Sequence, residues 1–192
     1  MQEQHYLVPH QYEGSKKDLD YSIPADTVED AEDWFVDAKD RLWNVNHWEQ
    51  NSPAINVQFK LTDTHGNAVN RKAHKGDHIR IDTEGAGTGF DWVIIEAIEY
   101  DDYPDVNLET FAIHVSPSQD PMRSKENQFV LSADNNATST IVIERRVKRL
   151  IASYHGRNEG AGEDTLGTGD AAWLGLSELQ WGSLLKGLLD PL

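Results

Sequence analysis

The chain has 192 residues, a length typical of one domain, and its formal net charge of -16 disfavours nonspecific attraction to nucleic-acid phosphates and to anionic lipid. It contains no cysteine, which excludes disulfide bonds and thiolate chemistry. Because it has neither a signal-like N-terminus nor about 20 consecutive apolar residues, we expect a cytoplasmic protein that neither inserts into membranes nor binds nucleic acid.

The first strong pattern, over residues 26–45, predicts an amphipathic helix. Apolar residues recur there at spacings of three and four, which places them on one helix face. Asp26 or Thr27 can cap this helix, and acidic residues in its first turns complement the helix dipole. The apolar face consists of Val28, Ala31, Phe35, Ala38, Leu42 and Val45.

The middle of the chain predicts about six or seven strands, with a possible extra one near His5–Pro9. Residues 55–61, INVQFKL, alternate apolar and polar side chains, the period of a strand with one buried face. Short connections without crossover helices favour antiparallel pairing. The other predicted strands are GDHIRID, GFDWVIIEAIEY, NLETFAIHVS, NQFVL, ATSTIVIE and VKRLIASYH.

The last pattern, LSELQWGSLLKGLLDPL, predicts a C-terminal helix. Ser177 and Gln180 have the spacing of a capping box. Gly182 and Gly187 each weaken a helix by about 1 kcal/mol relative to Ala, so this helix requires packing against the sheet. Its apolar face consists of Trp181, Leu184, Leu185 and Leu188. Residues 156–176, which precede it, are predicted to be a flexible glycine-rich connection.

These elements predict a single α+β domain over residues 1–192. A curved, mainly antiparallel sheet of about six or seven strands carries an early helix and a C-terminal helix. A β-barrel with flanking helices is the alternative. The pattern resembles the START and Bet v 1-like helix-grip superfamily, with WFVDAKDRLWNVNHWEQNSP at its early helices and QWGSLLKGLL at its grip helix. The resemblance implies an apolar cavity enclosed by the sheet.

Two strands supply candidate ligand-binding residues. With a regular pleat, Glu96 shares a face with Trp92 and other apolar residues, where a carboxylate could act in proton transfer. A bulge, an edge position or a basic partner would instead leave it without such a role. His114 projects either into a semi-polar cavity or onto an exposed sheet face. Trp43 and Trp48 flank the end of the first helix, and they either line a pocket mouth or contact surface, or pack in the core.

His155, Arg157 and Glu159 alternate at the end of the last strand, so we expect them on one side of the sheet. There they form an ordering network or line a cavity mouth. The glycine-rich residues after them lack the GKS or GKT ending of a phosphate-binding loop, and several residues separate them from the capped C-terminal helix. The histidine spacings match no metal-ligand motif, and we expect no metal and no cofactor.

Three functional hypotheses remain, and we favour the first. The protein binds a small apolar or amphipathic ligand, at a site that includes Trp43, Trp48, Trp92, Glu96, His114, His155, Arg157 and Glu159. Alternatively, it is an interaction or assembly module that recruits a protein partner or forms a homodimer. The weaker alternative is a cyclase, dehydratase or hydrolase that uses His114, Glu96 or the group at the end of the last strand. Because the sequence has no Ser-His-Asp order or nucleophile elbow, we lean against an enzyme.

Overall fold

A computed structural model of the protein describes residues 5–52, 56–83, 91–122, 136–159 and 176–190. Seven antiparallel strands form one open, curved sheet, and three α-helices pack on its inner face. The strands are β1 (Ser15–Pro24), β2 (Val57–Thr62), β3 (His78–Thr83), β4 (Asp91–Tyr103), β5 (Leu108–Ser118), β6 (Thr138–Arg146) and β7 (Arg149–Glu159). The helices are α1 (Val28–Trp43), α2 (Trp48–Asn51) and α3 (Glu178–Leu189).

Strands β2 to β7 form a meander, in which consecutive strands are neighbours, and β1 is the exception because it pairs with β7. The strand order of the sheet is β1-β7-β6-β5-β4-β3-β2, so β1 lies beside the last strand and β2 forms the other edge. The sheet is open, which confirms the predicted α+β architecture and shows that the barrel alternative is wrong. Because β1 pairs with β7, residues that are far apart in the chain, such as Asp18 and His155, lie side by side on one face of the sheet.

Helix α1 follows the sequence pattern closely. Thr27 is its N-cap and forms a capping box with Asp30, because the Thr27 side chain accepts from the Asp30 backbone N–H. Its buried positions Ala31, Phe35, Ala38 and Leu42 are four of the six residues of the predicted apolar face. The helix packs against β6 and β7.

Apolar side chains of the sheet and helices form one core on the inner face. Each strand contributes alternate residues, such as Leu150, Ala152 and Tyr154 of β7. The Tyr154 ring stacks on Trp181 of α3 with ring centroids 4.1 Å apart. The opposite face of β7 is therefore the outer face of the sheet, and it carries the intervening residues.

Three sequence predictions need correction or fall outside the described residues. The extra strand is β1, Ser15–Pro24, rather than a strand near His5–Pro9. Strand β7 extends to Glu159, so residues 156–159 belong to the strand and not to the predicted connection. Most of that connection, residues 160–175, lies outside the described part of the chain, as does the predicted strand NQFVL at 127–131.

Helix α3 depends on a close approach to the end of α2. Ser177 caps it through the predicted capping box with Gln180. Where α3 crosses α2, a Cβ atom on Gly187 would overlap the backbone carbonyl of Asn51. A Cβ atom on Gly182 would meet nothing within 4 Å. The two glycines therefore have different physical roles, although both lie in one short helix.

We expect the two glycine-to-alanine substitutions to change stability in opposite directions. Gly182→Ala should raise the free energy of unfolding by about 1 kcal/mol, because alanine is the better helix former. Gly187→Ala should lower it by about 2 kcal/mol or more, because the added methyl group separates α3 from α2. Urea unfolding of both variants measures the two effects. Equal shifts in the same direction would contradict this packing.

Candidate functional site

The N-terminal residues cover part of the outer face of the sheet. This N-terminal segment, residues 5–12, is held at β7 by Asn158, whose side-chain oxygen accepts from the Tyr12 backbone N–H at 2.6 Å. The Asn158 side chain also donates to the His10 carbonyl at 3.1 Å. At its start, His5 Nε2 lies 3.3 Å from Thr110 Oγ1 on β5. The segment therefore crosses the outer face from β5 to the end of β7.

A groove of about 250 Å³, here called the outer groove, lies between His5 and strand β1. Apolar residues of β1, β6 and β7 line it together with acidic, basic and hydroxyl side chains from the same strands. Its lining residues are His5, Asp18, Leu19, Asp20, Val142, Glu144, Ile151, Ser153, His155 and Arg157. The volume is below the roughly 300 Å³ at which small-molecule sites usually start, so the groove suits only a small ligand.

A hydrogen-bonded network joins Asp18 of β1 to two residues of β7. Asp18 Oδ1 lies 2.6 Å from His155 Nδ1 and 2.6 Å from Arg157 Nη2. Arg157, with only 2% of its surface exposed, also donates to the carbonyls of Lys17 and Gly156 at 3.1 and 2.7 Å. The buried guanidinium is therefore compensated by a carboxylate and two carbonyl oxygens.

The sequence interpretation missed two members of this network, Asp18 and Ser153. His155 Nε2 lies 3.0 Å from Ser153 Oγ, and Nδ1 of the same ring contacts Asp18. The signal for the first pair is the Ser-x-His spacing in β7, because residues two apart share a strand face. Asp18 could be found only from the β1–β7 register, in which it lies opposite His155.

Burial and hydrogen bonding shift the pKa values of the network. Burial lowers the pKa of His155 below 6.5 and outweighs the opposing hydrogen bond and charge of Asp18. Burial acts to raise the pKa of the Asp18 carboxyl, but hydrogen bonds from His155 and Arg157 outweigh it and lower that pKa. Near pH 7, the network therefore contains a neutral imidazole, a carboxylate and a guanidinium.

The other strand candidates lie elsewhere on the outer face. Trp92 lies opposite Arg80 of β3, on the face away from the helices. Glu96 sits at a β-bulge of β4, is exposed, and accepts a hydrogen bond from Ser116 at 2.7 Å. His114 is half-buried, with Nδ1 2.8 Å from Thr140 Oγ1. None of the three candidates faces the core between the sheet and the helices.

The two tryptophans beside α1 pack against the core. Trp48 is buried, and its ring meets Phe59 edge-on with centroids 5.2 Å apart. Trp43 is partly buried, packs against Phe111 and donates from Nε1 to the Ala73 carbonyl at 2.8 Å. Glu159 ends β7, and its side chain lies outside the described part of the structure.

A second groove, of about 380 Å³, follows the edge strand β2. Its charged lining residues include Glu49, Lys60, Arg80 and Asp82. Among the residues that the structure describes, no three His, Asp or Glu side chains are arranged to hold a metal ion. Over the same residues, every helix is too short or too polar to cross a membrane.

The lowered pKa values of four buried or half-buried histidines predict that the free energy of unfolding falls at mildly acidic pH. Burial, the largest effect in each case, lowers the pKa of His5, His78, His114 and His155 below 6.5 in the folded state. The unfolded chain therefore binds more protons as the pH falls. The stabilisation should be complete above pH 6.5 and should be lost as pH falls from there through the lower folded-state values.

Urea unfolding between about pH 7.5 and about pH 5 measures this dependence. His155→Gln should reduce the slope of unfolding free energy against pH, because one of the four titrating groups is removed. A free energy of unfolding that stays constant or rises on acidification over this range would contradict the assignment.

No protein-family model matches the chain, and no curated protein matches it significantly. Among solved structures, it is similar to a hypothetical protein from Helicobacter pylori, with a TM-score of 0.55, 12% identity, and coverage of 92% of this chain and 87% of that one. At this identity, the likeness concerns the fold alone.

Two plant proteins are also among the matching structures. One is a ginseng major latex-like protein from Panax ginseng, with a TM-score of 0.42, 10% identity, and coverage of 91% of this chain and 93% of that one. The other is a point mutant of norcoclaurine synthase from Thalictrum, with a TM-score of 0.37, 10% identity, and coverage of 76% and 77%. Both TM-scores lie below 0.5.

Proposed function

We propose that the protein is a small-molecule binding domain whose ligand, a small amphipathic amine, occupies the outer groove. The observation that carries this proposal is the chemistry of the groove lining. Three carboxylates, from Asp18, Asp20 and Glu144, face one guanidinium, from Arg157. With both histidines neutral, the lining itself carries two more negative than positive charges. Lys16 and Arg146, which lie beside the groove, pair with Asp18 and Glu144, so exposed Asp20 is the carboxylate available to a ligand cation.

The apolar part of the ligand would contact the residues between these charges. Val142 and Ile151 lie on neighbouring strands of the outer face and line the groove. Both are largely buried by the surrounding structure. Apolar surface beside a few convergent polar groups is typical of small-molecule sites, because the polar groups fix the orientation of the ligand.

The proposal keeps the predicted ligand class but changes its location. The helix-grip resemblance implies a cavity on the inner side of the sheet, where the described core contains the stacked rings of Tyr154 and Trp181. The outer groove lies on the opposite face and is bounded by the N-terminal segment. The net charge of -16 on the chain would also increase the encounter rate with a cation at low salt.

Three probes of similar shape and different charge test the proposal. They are 2-phenylethylamine, 2-phenylethanol and 3-phenylpropionate, titrated into isotope-labelled protein and followed by NMR. The amine should shift the resonances of groove residues at lower concentration than the other two. In the double variant Asp20→Asn with Glu144→Gln, its affinity should fall about fivefold, since each partly exposed ion pair contributes up to about 1 kcal/mol.

A matched control uses the groove beside β2. The double variant Glu49→Gln with Asp82→Asn removes the same charge there and should leave amine affinity at the outer groove unchanged. Equal shifts with the amine and the carboxylate, or shifts that cluster away from His155 and Ser153, would refute a cation-selective outer groove.

A further inference from the structure

The contacts of His155 determine which of its nitrogens carries a proton. Nδ1 lies 2.6 Å from Asp18 Oδ1, and an ionised carboxylate can only accept a hydrogen bond. Nδ1 is therefore the protonated nitrogen of the neutral ring. Nε2 keeps a lone pair, and the hydroxyl of Ser153, 3.0 Å away, is its donor. The three side chains form a relay from Ser153 through His155 to Asp18.

The relay is held in place by two features of the sheet. Ser153 and His155 are two residues apart on β7, so the strand fixes their side chains on the same face. Asp18 lies opposite His155 on β1, where Arg157 binds the same carboxylate oxygen. Because Arg157 also donates to two backbone carbonyls, the position of the Asp18 carboxylate does not depend on His155 alone.

We propose that Ser153 is a nucleophile for acyl transfer from small carboxylic esters, with His155 as general base and Asp18 as a positioning residue. Ser153 is half-buried and lines the outer groove, so a bound ester can reach its Oγ atom. This combination of an accessible hydroxyl, an adjacent imidazole and an orienting carboxylate meets the geometric requirements of an activated nucleophile.

The proposed reaction requires only the ester and water. Ser153 Oγ forms a bond to the ester carbonyl carbon while its proton moves to His155 Nε2. The C–O bond to the alcohol then breaks, and the alcohol leaves with that proton. Water attacks the acyl-serine by the same route and releases a carboxylic acid and the free serine.

A neighbouring pair shows which parts of the geometry matter. His114 Nδ1 lies 2.8 Å from Thr140 Oγ1, but Thr140 is fully buried. Ser116, two residues after His114, donates to Glu96 instead. Like Ser153, Ser116 lies on the outer face, two residues from a histidine. Its hydroxyl, however, donates to the carboxylate of Glu96, whereas that of Ser153 contacts the imidazole of His155.

Covalent labelling with phenylmethylsulfonyl fluoride tests the proposal, followed by intact-mass measurement and peptide mapping. We expect one sulfonyl group on Ser153, with loss of fluoride. Ser153→Ala should abolish the adduct, and His155→Gln should slow labelling about 100-fold or more, the usual contribution of a general base. Ser116→Ala should label at the unchanged rate. Absence of the adduct, or equal labelling of Ser116, overturns the proposal.

The pH dependence of labelling in the unchanged protein separates catalysis from a structural role of His155. Asp18, Arg157, Lys16 and His5 are the charged or titratable groups that act on this ring. Because the net effect lowers its pKa below 6.5, the rate should be level near pH 7 and fall only at lower pH, where the ring becomes protonated. A rate that rises in proportion to hydroxide from pH 5 to pH 8 overturns the proposal, even where a variant fails to fold.

The inference shares the outer groove with the proposed amine site, but the two can fail separately. The sulfonyl fluoride is uncharged, so its reaction reports on Ser153 whatever the charge preference of the groove. Amine binding without labelling would leave a binding domain. Labelling without amine selectivity would leave an acyl-transfer site whose substrate is not a cation.

Discussion

The alternation of side chains along β7 determines both the core and the outer groove. Leu150, Ala152 and Tyr154 point to the helices, so the residues between them must point to the opposite face. A shift of one position would exchange the two sets and place a guanidinium and an imidazole in the apolar core. The cost of exposing the Tyr154 ring and the cost of burying the charged and polar groups of Arg157 and His155 in the apolar core therefore both specify the observed register.

Burial of Arg157 imposes specific hydrogen bonds and an ion pair on the outer face of the sheet. A guanidinium with 2% exposure requires partners for its charge and its N–H groups, and it obtains them from Asp18 and two carbonyls. The same carboxylate then orients His155. A contact that compensates a buried charge thus also fixes the tautomer of the imidazole, so structural and chemical roles cannot be separated by a single substitution at Asp18.

The sequence was informative wherever one element determined its own pattern. Helix α1 follows from its apolar spacing and its capping residue, and β7 from its alternation. Strand β1 was missed because Leu19, Tyr21 and Ile23 are a short alternation after a charged start. The β-bulge at Glu96 was not predictable, because WVIIEAI carries no distinct signature of it; its extra residue changes the phase of β4, so Ile98 packs against the core. Asp18 required the pairing of two strands separated by most of the chain, which no local pattern contains.

The pairing of the first strand, β1, with the last strand, β7, also has a consequence for synthesis of the protein. Strand β1 leaves the ribosome early, whereas its partner β7 is translated after the five other strands. Until then, the backbone N–H and C=O groups of β1 have no β7 ladder to join, and an unpaired strand is prone to associate with other chains. The lysines and aspartates of SKKDLDYSIP oppose such association by charge. During synthesis, Asp18 therefore first helps to keep the unpaired β1 from associating with other chains. It contacts His155 only after β7 has joined the sheet.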